Sequence, residues 1–152
     1  MVKLRHRLQS LLRSRPARKR GGDTFGYSPR ADGEPNLGEV VWGWVPYEEN
    51  DGRGKDRPVL LVGRRRSAGG PQWLGLMLTS KDHDRDAADE ARWGRQWMDV
   101  GTGGWDRERR PSEVRLDRLI VLAPDAIRRE GAALDRATFD RVLSAARGLH
   151  SL

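Results

Sequence analysis

The sequence predicts a mainly β domain with α content, in which a small, strongly bent barrel-like sheet packs against a C-terminal amphipathic helix. Three observations carry this. Five or so short extended segments are separated by turn-forming residues, the apolar spacing becomes helical after Asp135, and 152 residues suffice for one domain with a modest core.

Gly38 to Val45 reads as the first strand, because Val40, Val41, Trp42 and Trp44 are β-formers. Pro46 to Asp56 is a polar loop carrying Glu48, Glu49, Asp51, Gly52 and Gly54. Pro58 to Gly63 is the second strand. Its run Val59-Leu60-Leu61-Val62 suits burial on both faces, and a proline at a strand's first position has no ladder N–H to lose. Arg64 to Pro71 is a hairpin connection with glycines for the turn, and Gln72 to Ser80 is the third strand. After an irregular acidic segment, Gln96 to Val100 and Glu113 to Leu116 are strands, with Leu119 to Leu122 continuing the latter past a bend. Pro124 to Arg129 is predicted as a short helix with proline in its first turn. From Asp135, a favourable N-cap, the apolar set Phe139, Val142, Leu143, Ala146 and Leu149 marks one face of a longer helix.

The charge is unevenly placed. Residues 1–20 carry Lys3, Arg5, Arg7, Arg13, Arg15, Arg18, Lys19 and Arg20 with no acidic residue, which leaves 21 of the 29 basic residues against 22 acidic ones in the remainder. The body is therefore nearly neutral. The tail, with Val2, Leu4, Leu8, Leu11 and Leu12 as an apolar stripe, reads as an anionic-surface segment, an RNA-gripping arm, or an extension without a role. Residues 21–36, rich in Gly, Pro, Asp and Ser, read as a flexible linker, and the domain is expected over 37–152. The absence of cysteine removes disulfide, thiolate-metal and Cys-nucleophile chemistry and fits a cytoplasmic setting. No apolar run has the length of a membrane span.

Two segments point to a phosphate site. Gly54-Lys55-Asp56-Arg57-Pro58 places a cation at the mouth of an apolar strand, and Leu78-Thr79-Ser80-Lys81 ends another strand in two hydroxyls and a cation. The residue before a proline is driven into extended geometry, which fixes the exit direction of Arg57, and a guanidinium fork matches phosphate oxygens. The plainer alternative is a surface ion pair of Arg57 with Asp56 or Asp82.

The ordered series Gly38-Glu39-Val40-Val41-Trp42, a Gly-rich acidic loop, Arg57-Pro58 and Thr79-Ser80-Lys81 resembles the MazF/PemK family of toxin endoribonucleases, over roughly Leu37 to Leu149. The resemblance implies an SH3-like barrel acting as a homodimer. It also implies metal-independent, cofactor-free, sequence-selective cleavage of single-stranded RNA, restrained by a small antitoxin protein. Arg57 matches the family's catalytic arginine and Thr79 its catalytic threonine. Lys55, on the loop that folds over RNA in the family, and Ser80 and Lys81 are supporting residues. Two rivals stand beside this reading: a same-fold toxin with a protein target, as in the CcdB toxins, and an inactive RNA-binding module.

His83 is either a general base, since its pKa lies near working pH, or a solvated histidine between Asp82 and Asp84. Asp82, Asp84 and Asp86 do not make a calcium loop, because Ala87 and Trp93 stand where glycine and the closing carboxylate are needed. Trp42, Trp44, Trp73 and Trp97 are expected in the core. Trp105, between Gly103-Gly104 and a charged run, is the candidate for an exposed base-stacking ring. The apolar content of the strands exceeds what one helix covers, which again predicts a dimer.

Overall fold

The computed structural model describes residues 21–48, 51–80, 94–129, 132–150 and 152. Among them run eight strands and one α-helix: β1 (Asp23–Phe25), β2 (Val40–Pro46), β3 (Gly54–Arg65), β4 (Gln72–Thr79), β5 (Trp97–Gly101), β6 (Ser112–Arg115), β7 (Ile120–Leu122), β8 (Ile127–Arg129) and α1 (Arg136–Leu149). The sheet order is β5-β6-β4-β3-β2-β8, with β1 beside β3 and β7 beside β4. All pairings are antiparallel.

The two longest strands each take two successive partners along one edge, and this curls the sheet. β3 pairs with β2 through Gly54 to Leu60 and with β1 through Gly63 to Arg65, and a register shift between Leu61 and Gly63 bends it against β4. β4 pairs with β7 through Trp73 to Gly75 and with β6 through Leu78 and Thr79.

Strand alternation then builds two apolar layers. Val40, Leu60, Val62, Leu74 and Leu76 share one cluster with Phe139, Val142, Leu143 and Ala146 of α1, while Val41, Val45, Val59, Leu61, Trp73 and Met77 form the other with Ile120 and Leu122. Asp135 caps α1 as its composition predicts, accepting the Thr138 N–H at 3.0 Å, and this bond lowers the carboxyl's pKa.

Three expectations change. Residues 21–36 are not a free linker: β1 lies in the sheet, Asp23 is clamped by Arg65, and the Tyr27 ring sits 5.0 Å from Phe139 while its hydroxyl donates to the Leu134 carbonyl at 2.6 Å. Gly38, at φ +94°, has no Cβ because one would lie 2.5 Å from the Tyr27 ring. Turn-rich composition gives way there to long-range packing. The predicted helix at Pro124 to Arg129 is a single 3-10 turn, Pro124–Ala126, running into β8, because pairing with Trp42 and Gly43 of β2 outweighs a short segment's local preference. Finally, much of the apolar excess taken as a sign of dimerisation is used within the chain, where Trp73, Leu76 and Phe139 are buried, while Trp44 and Leu149 stay exposed.

Candidate functional site

The site begins with a missing donor. Pro58 lies inside β3 rather than at its start, paired with Trp42 on the β2 side. Leu61 donates to the Glu39 carbonyl toward β2 and accepts from the Gly38 N–H, so alternation turns the backbone groups of Pro58 toward β4. With no N–H to give there, the β3–β4 ladder ends at Val59 and Met77. The register carried two residues further sets Arg57 opposite Thr79, both on the face of Val59 and Met77. The end of this ladder is therefore flanked by a guanidinium and a hydroxyl.

The same row continues across the sheet. Gly43 pairs with Arg57 on one side, while Thr79 pairs with Glu113 and Glu113 with Asp99 on the other. Arg57 and Thr79 are half-buried, and Glu113 is buried. Asp56, the neighbour that competes for Arg57 in the plainer reading, is instead 3.4 Å from Arg128. Among the described residues no ion pair to Arg57 is formed, and Asp82 lies outside them.

A second group of charges adjoins this row. Arg115 on β6 donates to Glu48 at 2.5 Å and to Asp117 at 2.8 Å, and Arg95 lies 3.4 Å from Glu48. Burial opposes the Arg115 charge, but the bonds to Glu48 and Asp117 outweigh it and raise its pKa. The bond from Arg115 likewise holds the Glu48 carboxyl below its ordinary value, against burial. Glu48 thus fastens the stem of the β2–β3 loop to β6. Gly54 closes that loop on its other side, where a Cβ would fall 2.5 Å from the Val45 carbonyl. Arg118 differs from Arg115. It donates to the Pro46 carbonyl at 2.7 Å, and among the described residues it makes no ion pair.

The remaining sequence candidates divide. Lys55 is exposed on β3 and Ser80 is exposed just past β4, both next to the Arg57–Thr79 row, whereas Lys81 and His83 lie outside the described residues. Trp105 is not an exposed ring: it is 3% exposed, its indole N–H donates to Ser112 at 3.1 Å, and its carbonyl accepts from Trp42 at 2.8 Å. The paired glycines before it let the ring fold back over Gly103, whose Cβ would lie 2.1 Å from it. The expected core residue Trp44 is instead exposed, at 42%, at the open end of β2. Its alternation with buried Val41 and Val45 places it on the other face.

Glu113, Arg115 and Arg118, which lie beside this row, are not among the residues that the sequence singles out. In Glu113-Val114-Arg115-Leu116 the charges alternate with apolar residues, the pattern of a strand whose polar face meets solvent, yet both charged residues are buried.

The model of one protein family, described as PemK-like and MazF-like toxins of type II toxin–antitoxin systems, matches residues 36–149. The chain belongs to this PemK/MazF-like toxin family. A solved structure that the toxin resembles is an endoribonuclease in complex with its cognate antitoxin from a mycobacterial species, with a TM-score of 0.51 at 15% identity, covering 76% of this chain and 93% of that one. At that identity the likeness is one of fold. It bears out the MazF-like barrel with a terminal helix. A search of curated proteins gave no match to the toxin's sequence. Among its described residues no helix is long and apolar enough to cross a membrane.

Proposed function

We propose that this toxin is an endoribonuclease that cuts single-stranded RNA with the substrate's own 2′-hydroxyl as nucleophile, with Arg57 and Thr79 as catalytic residues. The observation that carries the reading is their juxtaposition where the β3–β4 ladder ends, with Arg57 in no ion pair among the described residues. Attack of the 2′-oxygen on the adjacent phosphorus forms a 2′,3′-cyclic phosphate and releases the 5′-oxygen, which takes up a proton. Negative charge accumulates on the non-bridging oxygens in between. A preorganised, half-buried guanidinium stabilises that charge, and the Thr79 hydroxyl donates to a second oxygen. Lys55 and Ser80 hold the flanking backbone, with Lys81 as a further cation after β4.

The fold family supplies the partners. The mycobacterial neighbour is solved with its cognate antitoxin, and we extend this to a small antitoxin protein that covers the Arg57 site. A homodimer, a cytoplasmic location and an RNA or anionic-surface role for the basic residues 1–20 complete the proposal. The test is cleavage of a labelled single-stranded RNA with and without chelator. Cleavage that persists in chelator and falls at least about a hundredfold in Arg57→Ala supports the reading. Wild-type protein that leaves RNA intact points to a protein target or an inactive binding module instead.

A further inference from the structure

Among the described residues Arg118 is a buried cation without a neutralising partner, and that costs the fold free energy unless something else uses the charge. It is 9% exposed, its hydrogen bond among the described residues is to the Pro46 carbonyl at 2.7 Å, and it forms no ion pair with any of them. Among the described residues Glu48 and Asp117 are the carboxylates whose charge reaches it, and both are bonded to Arg115. Burial weakens the hold of Arg118 on its proton, and repulsion from Arg115 and Arg57 acts in the same direction, while Glu48 and Asp117 oppose it from a distance. Taking an ion out of water is unfavourable unless a counter-charge compensates it, and a purely structural guanidinium in this place would be paired.

Position supplies the reason. β4 pairs with β6 at Leu78 and with β7 at Gly75, so the connection Leu116 to Leu119 that carries Arg118 passes beside the last turns of β4 before Thr79. Pro46, which holds the guanidinium, ends β2 opposite Gly54 at the start of β3. The same strand, β2, that holds Arg118 through Pro46 pairs with Arg57 at Gly43. Two like charges at the same end of the β2–β3 pair, neither in an ion pair among the described residues, describe a site for an anion with more than one oxygen to offer.

We propose that Arg118 is a second phosphate-contacting residue of this toxin, which with Arg57 brackets a phosphodiester group of the bound RNA strand. The inference rests on the reading of the Arg57 site as an RNA site. Its test separates the two by using binding rather than cleavage. A fluorescent single-stranded oligoribonucleotide with 2′-O-methyl riboses cannot be cut, and its dissociation constant is measured across a salt series for wild type, Arg118→Met, Arg118→Gln and Arg118→Lys, each with a thermal melt.

Arg118→Met is expected to weaken binding about tenfold at low salt and to make the log–log salt slope shallower by about 0.7, the signature of one lost phosphate contact on a single strand. Its melting temperature should stay level or rise, because a buried unpaired charge has been removed. Arg118→Gln keeps an N–H for the Pro46 carbonyl and should show the same slope change, even where the methionine variant folds poorly. Arg118→Lys retains the charge and should keep the wild-type slope with weaker binding, lacking the planar fork. Folded Met or Gln variants with wild-type slope and affinity overturn the proposal, as does a lower melting temperature with unchanged binding, which makes Arg118 structural. Wild-type protein that binds the oligonucleotide but cuts no RNA removes the enzymatic reading and leaves this one standing. Wild-type protein that does not bind it overturns this proposal and leaves the enzymatic reading to the cleavage test.

Discussion

The two ends of β3 hold arginines in opposite states. At the C-terminal end Arg65 is buried and paired bidentately with Asp23, Nε at 3.0 Å and Nη2 at 3.1 Å from the two carboxylate oxygens. At the N-terminal end Arg57 is half-buried and, among the described residues, in no ion pair, with Arg118 nearby in the same condition. One strand thus carries a cation whose charge is used up in the fold and another whose charge remains available. The difference teaches where to look for function: a satisfied buried pair holds structure together, whereas clustered unsatisfied charge needs a ligand.

Breaking the satisfied end should have the largest effect on folding. Arg65→Ala removes the bidentate guanidinium from the buried Asp23 carboxylate, and should cost about 3–5 kcal/mol of stability in a denaturant titration, while each molecule that remains folded cuts RNA at the wild-type rate. A variant of unchanged midpoint would show that β1 is dispensable. For the same reason any truncation of the basic tail must stop before Gly21. Removing residues 1–20 alone should leave the melting temperature unchanged and reduce RNA affinity at low salt.

At the other end the pattern reverses. Arg57→Ala should lose at least about a hundredfold in cleavage, about 2.7 kcal/mol of transition-state stabilisation, with its denaturation midpoint within about 0.5 kcal/mol of wild type. Thr79→Ala, which removes a neutral donor, should lose less. Equal activity in Arg57→Ala and wild type would erase the distinction between the two ends.

The smallest effect concerns Glu48, the carboxylate between the loop and Arg115. Its folded-state pKa lies below the ordinary 4.5, so the folded protein binds this proton more weakly than the unfolded chain does. The stabilisation is therefore complete above about pH 4.5 and fades as the pH falls through the depressed value. Melting temperature followed from pH 6 downwards should drop more steeply in wild type than in Glu48→Gln, and parallel curves would exclude Glu48 as a latch on the β2–β3 loop.

Sequence alone placed most of the frame. The branched run Val59 to Val62, the β-formers before Pro46 and the capped stripe from Asp135 each specify their element locally, because strand and helix periodicity are properties of neighbouring residues. It also named Arg57 and Thr79, through a proline that restricts its neighbour and a strand that ends in hydroxyls. Only the tertiary structure decided that Asp23 to Phe25 and Ile127 to Arg129 are strands, since three-residue segments take their conformation from the partner they pair with. It likewise exchanged the roles of Trp44 and Trp105, because exposure depends on which face the rest of the sheet covers. The pairing of Glu48 with Arg115, and the absence of such a pairing for Arg118, follow from side chains brought together across about 70 residues of chain. No local pattern encodes which of several arginines will find a carboxylate.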